Sequence, residues 1–479
     1  MKTLKLIAIV ILAFSVAVVA QSPQPQSSPA LSEETAGPST PLRSGRNDDN
    51  LGQQPQHEQK PAQPQEHAGH DMSQMDMQNM DMGHDHEKES PAEVLELGFT
   101  SGTSWQAQSA PEHMWMRKWR DWQLMAHGSL FITFNHQGGP RGSGKAESAN
   151  WLMFMEERKF GRGTLQLRQM LSAEPLTTPH PGFPELFQTG ETYHGLPLVD
   201  HQHPHDVFGE IAGKYVLPIG KGVTWSLYGG PAGEPALGPT AFLHRNSAAE
   251  IPEAPLGHHL QDSTHISFGV VSTGLTYKML KVEGSVFNGR EPDERRYNFD
   301  FGSMDSYSGR VSFSPNKNWA AQYSAGRLLH PEALEEGDLV RQTASVNYSR
   351  PTNDGNWATT LVWGRNHKIA TQTDQNSYLL ESTLNFAKKN YAFTRVELVD
   401  KDELFPEGGG PVGYDSFRIG AYTFGGVRDL IQNEHWQVGL GADFSVYSKP
   451  DVLNAYYGEH PVGFRVFLRI RPGQMMHGH

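Results

Sequence analysis

The strongest constraint in this chain is a period of two. From 462 to 470, Val462, Phe464, Val466, Leu468 and Ile470 fall on one side of an extended backbone, and Gly463, Arg465 and Arg469 on the other. Only Phe467 breaks the pattern. The same alternation sets Trp436, Val438, Leu440, Ala442, Phe444 and Val446 against Gln437, Gly439, Gly441, Asp443 and Ser445. It recurs at 307–313 and at 341–348, where Ala344, Val346 and Tyr348 oppose Arg341, Thr343, Ser345 and Asn347. A helix would repeat every 3.6 residues, so these segments predict strands with one apolar and one polar face.

Strands are predicted near 122–134, 150–159, 164–173, 206–216, 222–230, 264–276, 281–288, 305–313, 319–328, 341–349, 356–365, 377–386, 391–399, 414–424, 435–447 and 462–470. The links alternate in length as well. Within successive pairs they are long and rich in Gly and Pro, with 174–205 and 231–263 the longest; between pairs they are mostly tight turns such as Phe160-Gly161-Arg162-Gly163 and Pro315-Asn316-Lys317-Asn318. A soluble sandwich alternates too, but has no reason to put all its long loops at one end. The expected fold is therefore all-β, a transmembrane antiparallel β-barrel of about sixteen strands, with fourteen to eighteen compatible, preceded by a disordered N-terminal arm. Its inward face would carry Arg168, Arg310, Arg341, Arg395, Arg418, Arg465 and Arg469 with Glu283, Glu381, Glu397 and Asp443, because charge towards lipid is costly. Sixteen strands leave a water-filled interior unless loops fold in.

The start of the chain reads as an export address. Lys2 and Lys5 precede an apolar run from Leu6 to Val19, and Val18-Val19-Ala20 offers small residues for cleavage, so 1–20 is expected to be a signal peptide. Residues 21–118 are expected to form a disordered periplasmic arm, 119–471 the outer-membrane barrel, and 472–479 a His/Met tail. The net charge of −13 and the lack of a basic run exclude a nucleic-acid partner, while zero cysteine excludes disulfides, thiolate metal sites and a lipoprotein anchor. The partner expected for the apolar faces is outer-membrane lipid; a homo-oligomer is left open.

Two segments carry candidate chemistry. In the arm, His67, His70, Met72, Met75, Met77, Met80, Met82, His84 and His86 stand among Asp and Gly, with no other large apolar residue between Met72 and Met82. Thioether sulfur suits Cu(I) and Ag(I), and imidazole with carboxylate suits Cu(II), so the expected ligand is a copper or silver ion. Met475, Met476, His477 and His479 echo this composition. In the first very long loop, Asp200-His201-Gln202-His203-Pro204-His205-Asp206 places His201, His203 and His205 on alternate residues, which an extended path would bring to one side. The next long loop adds His244, His258, His259 and His265, and the two loops leave neighbouring hairpins, so a metal site bridging them is geometrically open. The ordinary alternative is hydrogen bonding of each histidine to carboxylates and backbone.

Enzymatic motifs are absent. No Gly-x-Ser-x-Gly elbow, His-Glu-x-x-His pair or phosphate loop occurs, and Asp262-Ser263-Thr264-His265 alternates faces in a way that separates the acid from the other two. Trp105, Trp115, Trp119 and Trp122 are expected to mark the membrane interface.

A Met/His-rich arm, His67 to His86, ahead of a barrel resembles the outer-membrane copper resistance protein B family. That resemblance implies binding or movement of copper at the outer membrane, with a periplasmic metal carrier or efflux component as partner. The segments 198–206, 238–245 and 256–265 resemble a group of bacterial outer-membrane proteins with no agreed activity. The function expected from the sequence is soft-metal binding by the arm in the service of metal tolerance or efflux. The alternatives are a general or solute-selective porin with no metal role, and a structural barrel with a plugged pore.

Overall fold

A computed structural model describes residues 91–475, apart from 179, 407, 414 and 415. The signal peptide, the Met/His segment 67–86 and residues 476–479 lie outside the described residues. Sixteen strands form the wall: β1 (Trp122–Gln137), β2 (Asn150–Phe160), β3 (Gly163–Leu171), β4 (Phe208–Gly220), β5 (Val223–Ala232), β6 (Val270–Tyr277), β7 (Leu280–Phe287) and β8 (Ser306–Asn316). They continue as β9 (Trp319–Leu328), β10 (Leu339–Thr352), β11 (Gly355–Lys368), β12 (Thr373–Phe386), β13 (Asn390–Lys401), β14 (Phe417–Gln432), β15 (Trp436–Ser448) and β16 (Val462–Pro472). Each pairs antiparallel with the next, and β1 pairs with β16 from Leu130↔Ile470 to Gln137↔Gly463, which closes the barrel.

The wall is inside out relative to a soluble protein. On the outer face Ile132 is 52% exposed, Val282 55% and Leu361 54%; on the inner face Arg341, Thr343 and Arg469 are at 0%. Water would not tolerate that outer band, and lipid would not tolerate the inner one, so the barrel spans a membrane. At the end bearing the tight turns, exposed Trp119, Phe160, Tyr277, Phe313, Trp319 and Trp436 form an aromatic girdle, as expected where a wall meets the headgroups. Among the described residues no helix is long and apolar enough to cross.

Two long loops, L2 (172–207) and L3 (233–269), fold into the barrel. L3 is anchored by three apolar contacts: Leu237 with Tyr228, Phe287 and Leu339; Ile251 with Phe131, Phe393 and Phe467; and Leu256 and Leu260 with Phe187, Val399 and Ile419. Phe467, the residue that breaks the alternation of β16, thus faces inward because L3 supplies it with an apolar partner. Gly364 on β11 matters here, since a Cβ there would lie 2.2 Å from the Leu260 carbonyl oxygen; any side chain would push L3 off the wall.

Two expectations need correction. Residues 91–118, read as the end of the disordered arm, are ordered: a short helix, Pro91–Glu96, is followed by a segment bonded to the inner wall, and Met114–Trp119 pairs with β1 below its contact with β16. Their composition is too polar for an apolar core, but the lumen itself is polar and supplies charged partners. Trp105 accordingly is buried, with the Lys281 ammonium 5.3 Å from its ring centre, and is no interface marker. Arg418 lies at the loop end of β14, half exposed and paired with Asp400, instead of facing the lumen.

Candidate functional site

The inward charges of the wall pair with the segments that fill it. At the turn end, Glu96 meets Lys214 of β4 at 3.1 Å and Lys281 of β7 at 3.4 Å. Further in, Lys281 donates to the Thr103 carbonyl at 2.6 Å, Arg310 to the Thr103 hydroxyl at 2.9 Å, and Ser101 to Glu234 of L3 at 2.5 Å. Segment 91–110 and L3 therefore meet in mid-lumen. Towards the other side, Glu381 of β12 lies between Arg245 of L3 (2.9 Å) and Arg395 of β13 (2.8 Å), and Arg245 also reaches Asp262 at 2.7 Å. Arg469 pairs with both Asp429 and Glu250 of L3. Buried pairs of this kind hold only because each charge has a bonded partner.

Above this layer L2 and L3 bring five histidines into a closed ring. Going round it, the imidazole centroids of His203 and His205 are 6.2 Å apart, His205 and His265 5.3 Å, His265 and His258 5.1 Å, His258 and His259 5.3 Å, and His259 and His203 6.1 Å. Phe242 stacks against His205 and edge-on against His258 and His265. Each Nδ1 is engaged. That of His203 donates to the Pro204 carbonyl (2.9 Å) and that of His265 to the Asp262 carbonyl (2.8 Å); the Nδ1 atoms of His205, His258 and His259 face Glu174 (2.8 Å), Asp262 (2.6 Å) and Glu291 (3.2 Å). The Nε2 atoms of His205, His259 and His265 are buried with no hydrogen-bond partner among the described residues. A small cavity beside them is lined by Glu191, His203, His205, His258, His265 and Glu291.

Burial disfavours the charged imidazole, holding His203, His258 and His259 down at about 4 and His265 well below its ordinary value. His205 differs: burial also opposes its charge, but Glu174 outweighs it and moves the group up. Burial would likewise raise Glu191, yet His203 and Arg296 beside it bring it down to about 2.

The structure brings some of the loop histidines together and keeps others apart. His203 and His205 enter the same ring, and His258, His259 and His265 of the next loop join them, so the two loops do share a cluster. His201 does not join it: its neighbours are Pro184, across a two-residue ladder, and Ser143, 3.5 Å from its Nε2. Alternation fails because Asp200 turns the chain with a positive φ of 59° and Pro204 redirects it again. Asp200 acts as a staple, paired with Arg141 at 2.6 Å and accepting from the Phe187 amide at 2.7 Å. Glu191, which contacts His203, has nothing in its local sequence that distinguishes it. Gly190 beside it could have hinted at a close approach, since a Cβ there would sit 2.7 Å from the His259 ring. In the acid–serine–histidine run the Asp262 carboxylate pairs with Arg245 and His258, His265 bonds the Asp262 backbone carbonyl, and Arg341 donates to the Ser263 hydroxyl at 2.7 Å, so no triad forms.

A second patch lies on the inner wall. Met125 of β1 pairs with Met155 of β2, His127 with Met153, and Met153 with Met170 of β3. The four methionines are buried together, and the His244 ring of L3 lies tilted 5.5 Å from that of His127, each with a buried Nε2 that has no partner among the described residues. A further acidic group, Glu335, Asp402 and Glu403, already holds a cation, because Lys368 reaches Glu335 at 2.6 Å and Asp402 at 2.8 Å.

No family profile and no curated protein matches the sequence. Among solved structures, the chain is similar to an anion-selective porin from Comamonas acidovorans, with 11% identity over 73% of this chain and 99% of that one and a TM-score of 0.47. It is similar to Salmonella typhi OmpF in complex with daunomycin, at 10% identity over 74% and 100%, TM-score 0.48. Pseudomonas putida OprB, in its high-pH structure, gives 8% identity over 74% and 94%, TM-score 0.45. What this lumen binds has to be read from its own residues.

Proposed function

We propose that the chain is an outer-membrane channel of porin type, solute-selective and not general, whose bore is closed at rest by L3 and by segment 91–110. The observation that supports this most is the kind of contact that fills the lumen. L3 is tied down by three apolar patches, whereas residues 100–103 are held by hydrogen bonds to Arg168, Lys281, Arg310 and Glu234, with Phe99 and Trp105 as the flanking apolar contacts; water can take over the hydrogen bonds of the charged groups when the segment leaves. Among the described residues, the strand pairing of this N-terminal segment with the wall lies at its C-terminal side, through Met114–Trp119, so residues 91–110 can withdraw without opening the barrel. Withdrawal would take Glu96 with it and leave Lys214, Lys281, Arg168 and Arg310 facing Glu210 and Glu283, a bore that favours anions. With short turns at the periplasmic end, as in barrels of this class, the segment would enter from the periplasm.

The test is planar-bilayer conductance of the processed full chain beside a variant lacking residues 91–110. Low conductance in the first and several-fold higher, anion-selective conductance in the second is the expected result. Absence of conductance in both would leave a structural barrel.

A second reading, copper or silver handling by His67–His86, is favoured by the buried Met125, Met153, Met155 and Met170 with His127 and His244. Four clustered thioethers beside two imidazoles suit a soft monovalent ion, although methionine also fills gaps in cores. Titration with Cu(I) and Ag(I), run with and without residues 67–86, separates the arm from the wall. Loss of all binding with the deletion places it on the arm, and survival moves it to the wall methionines. No binding in either would remove this reading.

A further inference from the structure

The contact between His203 and Glu191 does not balance as it stands. The Nδ1 of His203 lies 2.9 Å from the Pro204 carbonyl oxygen, which can only accept, so Nδ1 carries the proton and Nε2 of the neutral ring carries a lone pair. That lone pair faces Glu191 Oε1 directly, while Glu191 Oε2 is taken by Arg296 at 2.9 Å. Two acceptors in contact need a cation: a proton fits between them as they stand, and a metal ion would bridge them once the two side chains part to the roughly 3.3 Å spacing of ligand atoms on one tetrahedral ion.

The surroundings favour the metal. One ligand atom each from Glu191, His203 and His259 lies within 4.8 Å of the other two. His259 has its Nδ1 against Glu291 at 3.2 Å and its buried Nε2 unpartnered, the arrangement in which an outer carboxylate orients a ligating imidazole. The adjoining cavity is lined by three further imidazoles, His205, His258 and His265, with their Nδ1 atoms engaged by Glu174 for the first and by Asp262 for the other two. Thioether and thiolate are missing from this set, so its chemistry differs from that of the Met-rich arm.

We propose that Glu191, His203 and His259 form a binding site for one divalent first-row transition metal ion, of the Zn2+ or Cu2+ type, that ties L2 to L3 inside the barrel. Two imidazoles and a carboxylate are the donor set such ions take, with a fourth position open to water or to a solute. The site stands whether or not the lumen conducts, and whether or not the arm binds copper.

The experiment uses the folded, detergent-solubilised full chain, its folding checked by heat-modifiable gel mobility. Zn2+ bound after dialysis is counted by elemental analysis, and Co2+ is used as a visible-absorbing probe. Three proteins are compared: wild type, the double variant His203→Gln/His259→Gln, and His201→Gln, which changes a neighbouring histidine outside the site. The expected result is one equivalent fewer Zn2+ in the double variant, with the matching Co2+ band lost, and wild-type values for His201→Gln. Glu191→Gln, which leaves both imidazoles in place, should keep the fold and weaken Zn2+ binding at least tenfold. Equal stoichiometry and equal Co2+ spectra in wild type and double variant would overturn the proposal and leave a proton holding Glu191 to His203.

Discussion

The wall of this barrel and the material inside it are stabilised by opposite chemistry. Outward, β1–β16 present Ile132, Val282, Leu361 and Leu440 to lipid; inward, the same strands present Arg168, Arg310, Arg341, Arg395, Arg465 and Arg469, which are among the most buried side chains in the molecule. A wet pore would leave those guanidinium groups hydrated. They are buried because L2, L3 and segment 91–110 supply carboxylates, hydroxyls and carbonyls to each of them. The wall is thus defined by its solvent, and the filling by its partners.

That difference can be broken at four places, in decreasing order of effect. Glu381→Gln leaves Arg245 and Arg395 without their shared carboxylate in the interior; a loss of about 3–5 kcal/mol is expected, read as a shifted midpoint in denaturant unfolding from lipid bilayers. Leu361→Arg puts a charge on the lipid side of β11 and should cost about 2–4 kcal/mol by the same assay, less if that position lies nearer the interface than the midplane. Thr103→Val deletes the hydroxyl that accepts from Arg310 and should cost about 1.5–3 kcal/mol, as hydrogen bonds to charged groups do, and it should also raise basal conductance by loosening segment 91–110. Arg365→Ala removes a pair with Asp374 at 2.6 Å, but both side chains are more than a third exposed at the loop end, so a change of at most about 1 kcal/mol is expected. If Arg365→Ala proved as damaging as Glu381→Gln, the contrast between screened rim and desolvated lumen would fail.

The wall was legible in the sequence and the filling was not, for a physical reason. Strand alternation is local: Val462 to Ile470 shows both faces within nine residues, and the unequal links fix which end is which, so sixteen strands and closure follow from short windows. The residues that order segment 91–110 are remote. Thr103 depends on Lys281 and Arg310, and Ser101 on Glu234, so a polar stretch that looks unable to pay for its own ordering is ordered by a polar lumen built elsewhere. The histidine ring shows the same limit. His203 and His205 drew notice through their spacing, and the neighbouring loop was a fair place to look for His258, His259 and His265. Glu191 and the departure of His201 depended on the positive φ at Asp200 and on the fold of L2 around it, which no spacing rule carries.

The most direct check on a filled lumen uses the absence of cysteine from the chain. Ser101→Cys is nearly isosteric, sits in mid-lumen against Glu234, and is 1% exposed in the wild-type residue; Asn353→Cys, in the exposed turn between β10 and β11, serves as the accessible control. Both variants are reconstituted in lipid vesicles, with membranes made permeable so that both ends are reached, and treated with a small water-soluble maleimide. The expected result is rapid labelling of Cys at 353 and labelling at 101 slower by at least a hundredfold until the protein is unfolded. Equal labelling rates at the two positions in the folded protein would contradict a lumen closed by its own N-terminal segment and L3.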